Sequence, residues 1–137
     1  MPWVYDPHSG GLKIPERTKT KTRERILAYA EKHYHGKYIR IDVRFRSPFC
    51  YIDAYIEPVL ADDFPPPGSD ETREEMLERK RNIPMHLCRL RHFSEDRWSV
   101  AYYSYSRMAY RKSFFENGEF EGTPEEGFEV GAVYLGD

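Results

Sequence analysis

Apolar and polar positions alternate strictly from Tyr38 to Glu57, and this stretch predicts two strands and a turn. In 38–46 the odd positions are Ile39, Ile41, Val43 and Phe45, and the even ones are Tyr38, Arg40, Asp42, Arg44 and Arg46. Beyond Ser47-Pro48 the apolar set resumes as Cys50, Ile52, Ala54 and Ile56, set between Tyr51, Asp53, Tyr55 and Glu57. Period two gives each strand one apolar and one polar face. With Pro48 at the second turn position, where its fixed φ fits, Ser47 faces Cys50, Arg44 faces Asp53 and Arg40 faces Glu57. A register shifted by two would set Asp42 against Asp53, and directly opposed like charges are destabilising.

Helical spacing replaces alternation on either side of this hairpin. From Pro15 to Tyr34 the residues Ile26, Tyr29, Ala30, His33 and Tyr34 share one stripe, and Gly36 ends the helix. Projected backward, the stripe reaches Lys19, Thr22 and Arg23, which are poor core residues, so either the helix starts near Thr22 or its first two turns project into solvent. A second helix is expected over 69–81, acidic at its start and basic at its end as the helix dipole favours, with Glu75 and Arg79 as an i,i+4 pair. Only Met76 and Leu77 are clearly apolar in it, so it packs weakly or lies on the surface. Strands follow at 85–93 and 97–106, joined by Ser94-Glu95-Asp96, with a fifth near 110–116. Asn117-Gly118 is a hairpin signal that brings Phe115 opposite Phe120. Thr123, Pro124 and Glu126 then form a capping box with proline at N1, opening a helix whose Phe128, Ala132 and Leu135 share a face. Gly127, Val130 and Val133 weaken that helix, and a strand over 128–135 is the alternative.

Short links between strands favour antiparallel neighbours. The expected fold is α+β: one antiparallel sheet of about five strands, with an N-terminal helix, a weak central helix and a short C-terminal helix packed on it. The 137 residues read as one domain, with an irregular arm over 1–14 and an acidic proline-rich loop over 58–69. An aromatic content of 15 % offsets the low mean hydropathy and supplies the core. No run is long and apolar enough for a membrane span, the N-terminus has no signal-peptide pattern, and two cysteines make no disulfide framework; a cytoplasmic setting is expected.

Charge is arranged in blocks. Residues 13–40 hold nine Lys/Arg against three Glu, and 57–78 hold eight acids against one Arg. Residues 79–112 hold nine basic against two acidic side chains, and 113–137 hold seven acids and no base. Such blocks either neutralise one another on folding or leave a basic patch for an anionic partner.

Candidate chemistry is sparse. His86 and Cys88, two apart on one strand, are expected on the same face with His92 in phase, but His86 and His92 would lie about 20 Å apart, so no metal and no cofactor is expected. His33 reads as structural, His35 as a C-terminal charge partner, and Asp6-Pro7-His8-Ser9 as no triad, since triads are defined by geometry. Asp42 and Asp53 sit close on the outer face; they would serve as an acid/base pair only if one were kept protonated, which Arg40 and Arg44 oppose. Tyr38, Arg40, Arg44, Tyr51, Asp53 and Tyr55 form the candidate face for a protein or small-molecule partner. The basic helix (Arg17, Lys19, Lys21, Arg23, Arg25) with the same tyrosines would suit single-stranded nucleic acid, and so aromatic a face also suits a homodimer.

The ending Gly122-Thr123-Pro124-Glu125-Glu126-Gly127-Phe128 with Ala132-Val133-Tyr134-Leu135 resembles the endings of small uncharacterised bacterial proteins. The resemblance extends to Phe49-Cys50-Tyr51-Ile52-Asp53-Ala54-Tyr55 and His86-Leu87-Cys88-Arg89-Leu90-Arg91. It implies a bacterial cytosolic setting and brings no activity and no site residues. The expected function is a non-enzymatic binding or interaction module; the alternatives are nucleic-acid binding, or a small enzyme working near His86/Cys88 or Asp42/Asp53.

Overall fold

Five antiparallel strands follow one another in chain order across a single sheet: β1 (Arg40–Arg46), β2 (Phe49–Tyr55), β3 (Met85–Ser94), β4 (Arg97–Ser104) and β5 (Ala109–Ser113). They belong to a computed structural model that describes residues 10–136; Asp6-Pro7-His8-Ser9 and most of the expected arm lie outside the described residues. Helices α1 (Glu16–Tyr34) and α3 (Pro124–Gly131) pack on the same side of the sheet and against each other. Between them lie Ile26, Ile41, Val43, Cys50, Ile52, Leu90, Trp98 and Phe128, all buried. Burying a side chain of the size of Phe128 contributes about 2–3 kcal/mol. The central helix α2 (Arg73–Arg81) buries none of its residues. No helix among the described residues is long and apolar enough to cross a membrane.

Helix α1 begins at Glu16 rather than near Thr22, and its buried stripe runs further back than expected. Thr22 is buried with Ile26 and Ala30, four residues apart each time, and its hydroxyl has no hydrogen-bond partner among the described residues. Arg23 turns sideways and donates from Nε and Nη2 to the carbonyl of Val43 at 3.3 and 3.1 Å, covering part of the outer edge of β1. The capping box at Thr123 and Glu126 forms, and α3 runs on into a 3-10 turn over Ala132–Leu135, so 128–135 is helical. Gly127 is a packing requirement. A Cβ there would stand 2.4 Å from Cδ2 of Leu90, and one at Gly131 would stand 2.9 Å from the carbonyl carbon and oxygen of Leu87. Two glycines one turn apart let α3 lie directly on β3.

The hairpin adopts the register that charge repulsion argued against. Arg46 pairs with Phe49, Arg44 with Tyr51, Asp42 with Asp53 and Arg40 with Tyr55. Proline takes the third turn position rather than the second, with a cis Ser47–Pro48 peptide. Asp42 and Asp53 tolerate their opposition because Arg44 stands between them: Nη2 donates to Oδ2 of Asp53 at 2.9 Å, and Nε lies 3.6 Å from Asp42. Arg40 lies over the Tyr55 ring, 4.0 Å from its centroid, and Glu57 pairs with Arg81 instead.

Two smaller expectations are corrected in the same way. Glu75 closes a capping box with Thr72, so Arg79 pairs with Glu71 rather than Glu75. Asn117-Gly118 makes a turn in which Phe115 N–H donates to Glu119; Phe114, not Phe115, meets Phe120, while Phe115 enters the core. The charge blocks neutralise one another across the fold, through Lys21–Glu95, Arg25 with Asp96 and Glu125, Arg81–Glu57 and Arg97–Glu121.

Candidate functional site

A one-residue bulge decides which residues meet on the face of the sheet away from α1 and α3. Ile52 pairs with Cys88 but Asp53 pairs with His86, leaving Leu87 as the extra residue of β3. Strict alternation would place His86 and Cys88 together; the bulge puts them on opposite faces. Cys88 turns into the core, where its thiol lies 3.6 Å from the carbonyl of Gly127 and burial pushes its ionisation up to about 12. Cys50 is buried on that side as well, its thiol also pushed up by burial. His92 likewise turns from His86, its ring against Trp98 and its Nδ1 3.0 Å from the carbonyl of Leu12. Bulges commonly re-aim a side chain in this way.

His86, so turned, meets Asp53. Nδ1 of the imidazole lies 2.8 Å from Oδ1 of the carboxylate. A carboxylate only accepts, so Nδ1 carries the proton and Nε2 points away from Asp53. Both oxygens of Asp53 are thereby engaged, one by His86 and one by Arg44, which explains how a carboxylate only 3 % exposed is accommodated. The backbone N–H of His86 donates to the hydroxyl of Tyr105 at 2.6 Å.

Aromatic rings frame this relay. Tyr103 lies 4.8 Å from the His86 ring and 5.0 Å from Tyr110, and Tyr110 reaches across the sheet to within 5.7 Å of Tyr51. The Arg89 guanidinium lies over Phe49 and Tyr110. Burial, reinforced by the negative charge of Asp53, raises the ionisation of Tyr110 well above its ordinary range, so it stays a neutral phenol. Among the described residues, the hydroxyls of Tyr51, Tyr55, Tyr103 and Tyr110 make no hydrogen bond.

Of the residues singled out from sequence, Arg40, Arg44, Tyr51, Asp53 and Tyr55 share this face with Asp42. Tyr38 leaves it: lying before β1, it packs toward α1 and donates to Glu31 at 2.8 Å, and burial and that contact push its ionisation up to about 12. The basic residues of α1 lie with the helices, behind the sheet. Lys19 pairs with Glu16, Lys21 with Glu95, Arg25 with Glu125 and Asp96, and Arg23 with the β1 edge, while Arg17 is exposed. They and the tyrosine face do not form one surface. His35 pairs with Glu31, and His33 lies exposed against Tyr29, 4.3 Å between ring centroids. Sequence reasoning did not place His86, Tyr103 and Tyr110 in the site. The last two are visible in the sequence only as aromatic residues of later strands, and alternation sets His86 beside Cys88 rather than Asp53.

On the helix side, a cleft of about 310 Å³ lies beside Tyr29, Glu116, Asn117, Glu125, Glu126 and Glu129. Its polar groups are largely engaged. Glu129 of α3 accepts from Tyr29 at 2.6 Å and from Tyr34 at 2.8 Å, and Glu125 holds Arg25. No group of His, Cys, Asp and Glu among the described residues is arranged to hold a metal ion. Compared with family models, curated proteins and solved structures, the chain matches none.

Proposed function

We propose that this protein is a non-enzymatic binding module whose recognition surface is the open sheet face carrying Tyr51, Tyr55, Tyr103 and Tyr110 around the Arg44–Asp53–His86 relay. The observation that carries the reading is the state of those four hydroxyls: among the described residues they make no hydrogen bond, on a face that α1 and α3 do not cover. Tyrosine combines a rigid apolar ring with a polar tip, and Tyr and Arg are the residue types that dominate recognition surfaces.

The test is fluorine NMR of the protein labelled with 3-fluorotyrosine, screened against a library of small compounds. Compounds that bind should move the signals of Tyr51, Tyr55, Tyr103 and Tyr110 and leave those of Tyr29, Tyr34 and Tyr38 in place. Binders that gather instead at Tyr29 and Tyr34 would transfer the function to the acidic cleft and end this reading.

One observation favours a second reading. A carboxylate that fixes an imidazole tautomer, as Asp53 does for His86, is also how a general base is oriented. Hydrolysis of an activated ester above background, abolished in His86→Gln, would establish it. Single-stranded nucleic acid is the weaker alternative, because most of the basic residues of α1 have intramolecular partners and stand behind the sheet. Salt-sensitive oligonucleotide binding lost on mutating Tyr51 and Tyr55 would revive it.

A further inference from the structure

The two edges of the sheet are not alike. At β1, Arg23 of α1 donates to the carbonyl of Val43, so part of that edge is already filled. At the other side no strand among the described residues lies beyond β5. Among those residues, the backbone of Ala109, Tyr110, Arg111 and Ser113 hydrogen-bonds to no group outside the pairing with β4. An open edge presents a row of amide and carbonyl groups with which another extended chain can pair. The helices stop short of it as well. Helix α3 packs on β3 and β4, and on the helix side of β5 Arg111 and its cross-strand partner Tyr102 stay exposed. Charge at this edge is not neutralised either. Residues 97–115 hold Arg97, Arg107, Arg111 and Lys112 and no acid. Arg97 pairs with Glu121, and Lys112 is engaged with Phe120. Arg107, in the turn between β4 and β5, and Arg111 are exposed and make no hydrogen bond or ion pair with any described residue, including Glu116 and Glu119 just past the strand. Met108 beside them is 70 % exposed.

We infer that the outer edge of β5 docks an extended acidic segment of a partner protein, which adds to the sheet as a further strand. Main-chain hydrogen bonds to β5 hold the segment, and its side chains alternate between the two faces. Every second one stands on the helix side beside Arg111, and acidic residues at those positions complement Arg111 and Arg107. A second copy of this chain fits poorly. Pairing two β5 edges about a two-fold axis brings the Arg111 side chains of both copies together, and like charges opposed across strands are destabilising. Single-stranded nucleic acid has the charge but no row of main-chain amides to match the edge. The inference does not depend on the tyrosine face, and either can fail without the other.

The experiment titrates the full ¹⁵N-labelled chain with synthetic peptides about six residues long, carrying Glu at alternate positions and Val, Leu, Phe or Tyr between them. The best of them should bind saturably and slow hydrogen exchange of the β5 amides while leaving those of β1 unchanged. The same peptide with Lys for Glu should bind at least about tenfold more weakly. N-methylation of its alternate backbone amides, on the edge that meets β5, should cost about tenfold as well. Arg107→Gln with Arg111→Gln should weaken the acidic peptide by about fivefold at an unchanged melting temperature, and Arg46→Gln on the other edge should not. Absence of saturable binding by the whole acidic set would overturn the inference, as would protection at β1 instead of β5. Equal binding of the N-methylated peptide would remove the added strand. An oligothymidylate that protects β5 more tightly than any peptide would hand the edge to nucleic acid. Protection of β5 that grows with protein concentration in the absence of peptide would hand it to a second copy.

Discussion

The tyrosines on the two sides of this sheet are used in opposite ways. Behind it, Tyr29 and Tyr34 of α1 converge on one carboxylate of α3, Tyr38 holds Glu31, and Tyr134 donates to the carbonyl of Tyr103. In front, Tyr51, Tyr55, Tyr103 and Tyr110 contact rings and guanidinium groups, but among the described residues their hydroxyls make no hydrogen bond. The same residue type thus fastens helices on one face and remains available on the other. Hydroxyl deletion separates the two roles, because a buried or half-buried hydrogen bond to a carboxylate contributes to stability and a solvated hydroxyl does not.

The largest effect should come from breaking the helix side at its tightest point. Gly131→Val places a branched side chain against the backbone of Leu87, which no rotamer change relieves, and should destabilise by about 3 kcal/mol. In a thermal melt that is a fall of roughly 10 °C. A melt within about 2 °C of wild type would show that α3 can lift off β3 without loss. Glu129→Ala removes the acceptor shared by Tyr29 and Tyr34 and should lower stability by about 2 kcal/mol in urea unfolding.

Alkaline titration sharpens the same contrast. Burial, followed by the hydrogen bond to Glu129, pushes Tyr34 up to about 12 and raises Tyr29 further. Unfolded tyrosine ionises near ~10, so the folded state holds these protons longer. Their contribution to stability is whole below about pH 10 and is lost as the pH rises through the folded values. Tyr34→Phe should flatten part of that loss, measured as urea midpoint against pH; an unchanged slope would remove Tyr34 from the account. The smallest effect belongs to the open face. Tyr51→Phe, Tyr55→Phe and Tyr103→Phe should each change stability by less than about 0.5 kcal/mol, and a larger loss would mean that the face is structural after all.

Much of the fold was legible in the sequence, because period-two and helical patterns report burial directly. The capping box at Thr123 and the five antiparallel strands appear where those patterns put them. The candidate site was legible only in part, and the failures have physical causes. Repulsion between Asp42 and Asp53 points to the wrong hairpin register because Arg44 sits between them, and because proline can occupy either of two turn positions. Gly127 looked like a defect of helix propensity, whereas it is the allowance that α3 needs to approach Leu90. His86 was paired with Cys88 because alternation carries no mark of an inserted residue. Tyr103 and Tyr110 could not be joined to Tyr51 without knowing the strand order.

The Leu87 bulge also links the two sides. The Cα of Gly131 rests against the very peptide that turns His86 toward the front, since a Cβ there would stand 2.9 Å from the carbonyl carbon and oxygen of Leu87. Helix α3 is therefore the backstop of the imidazole's mounting, one peptide thick. Pressure applied at residue 131 from behind has a short path to the aim of His86 in front. A side chain that never approaches the open face can in this way set the direction of the one ring whose proton Asp53 fixes, and the resonance of His86 becomes a gauge of how firmly the last helix is seated.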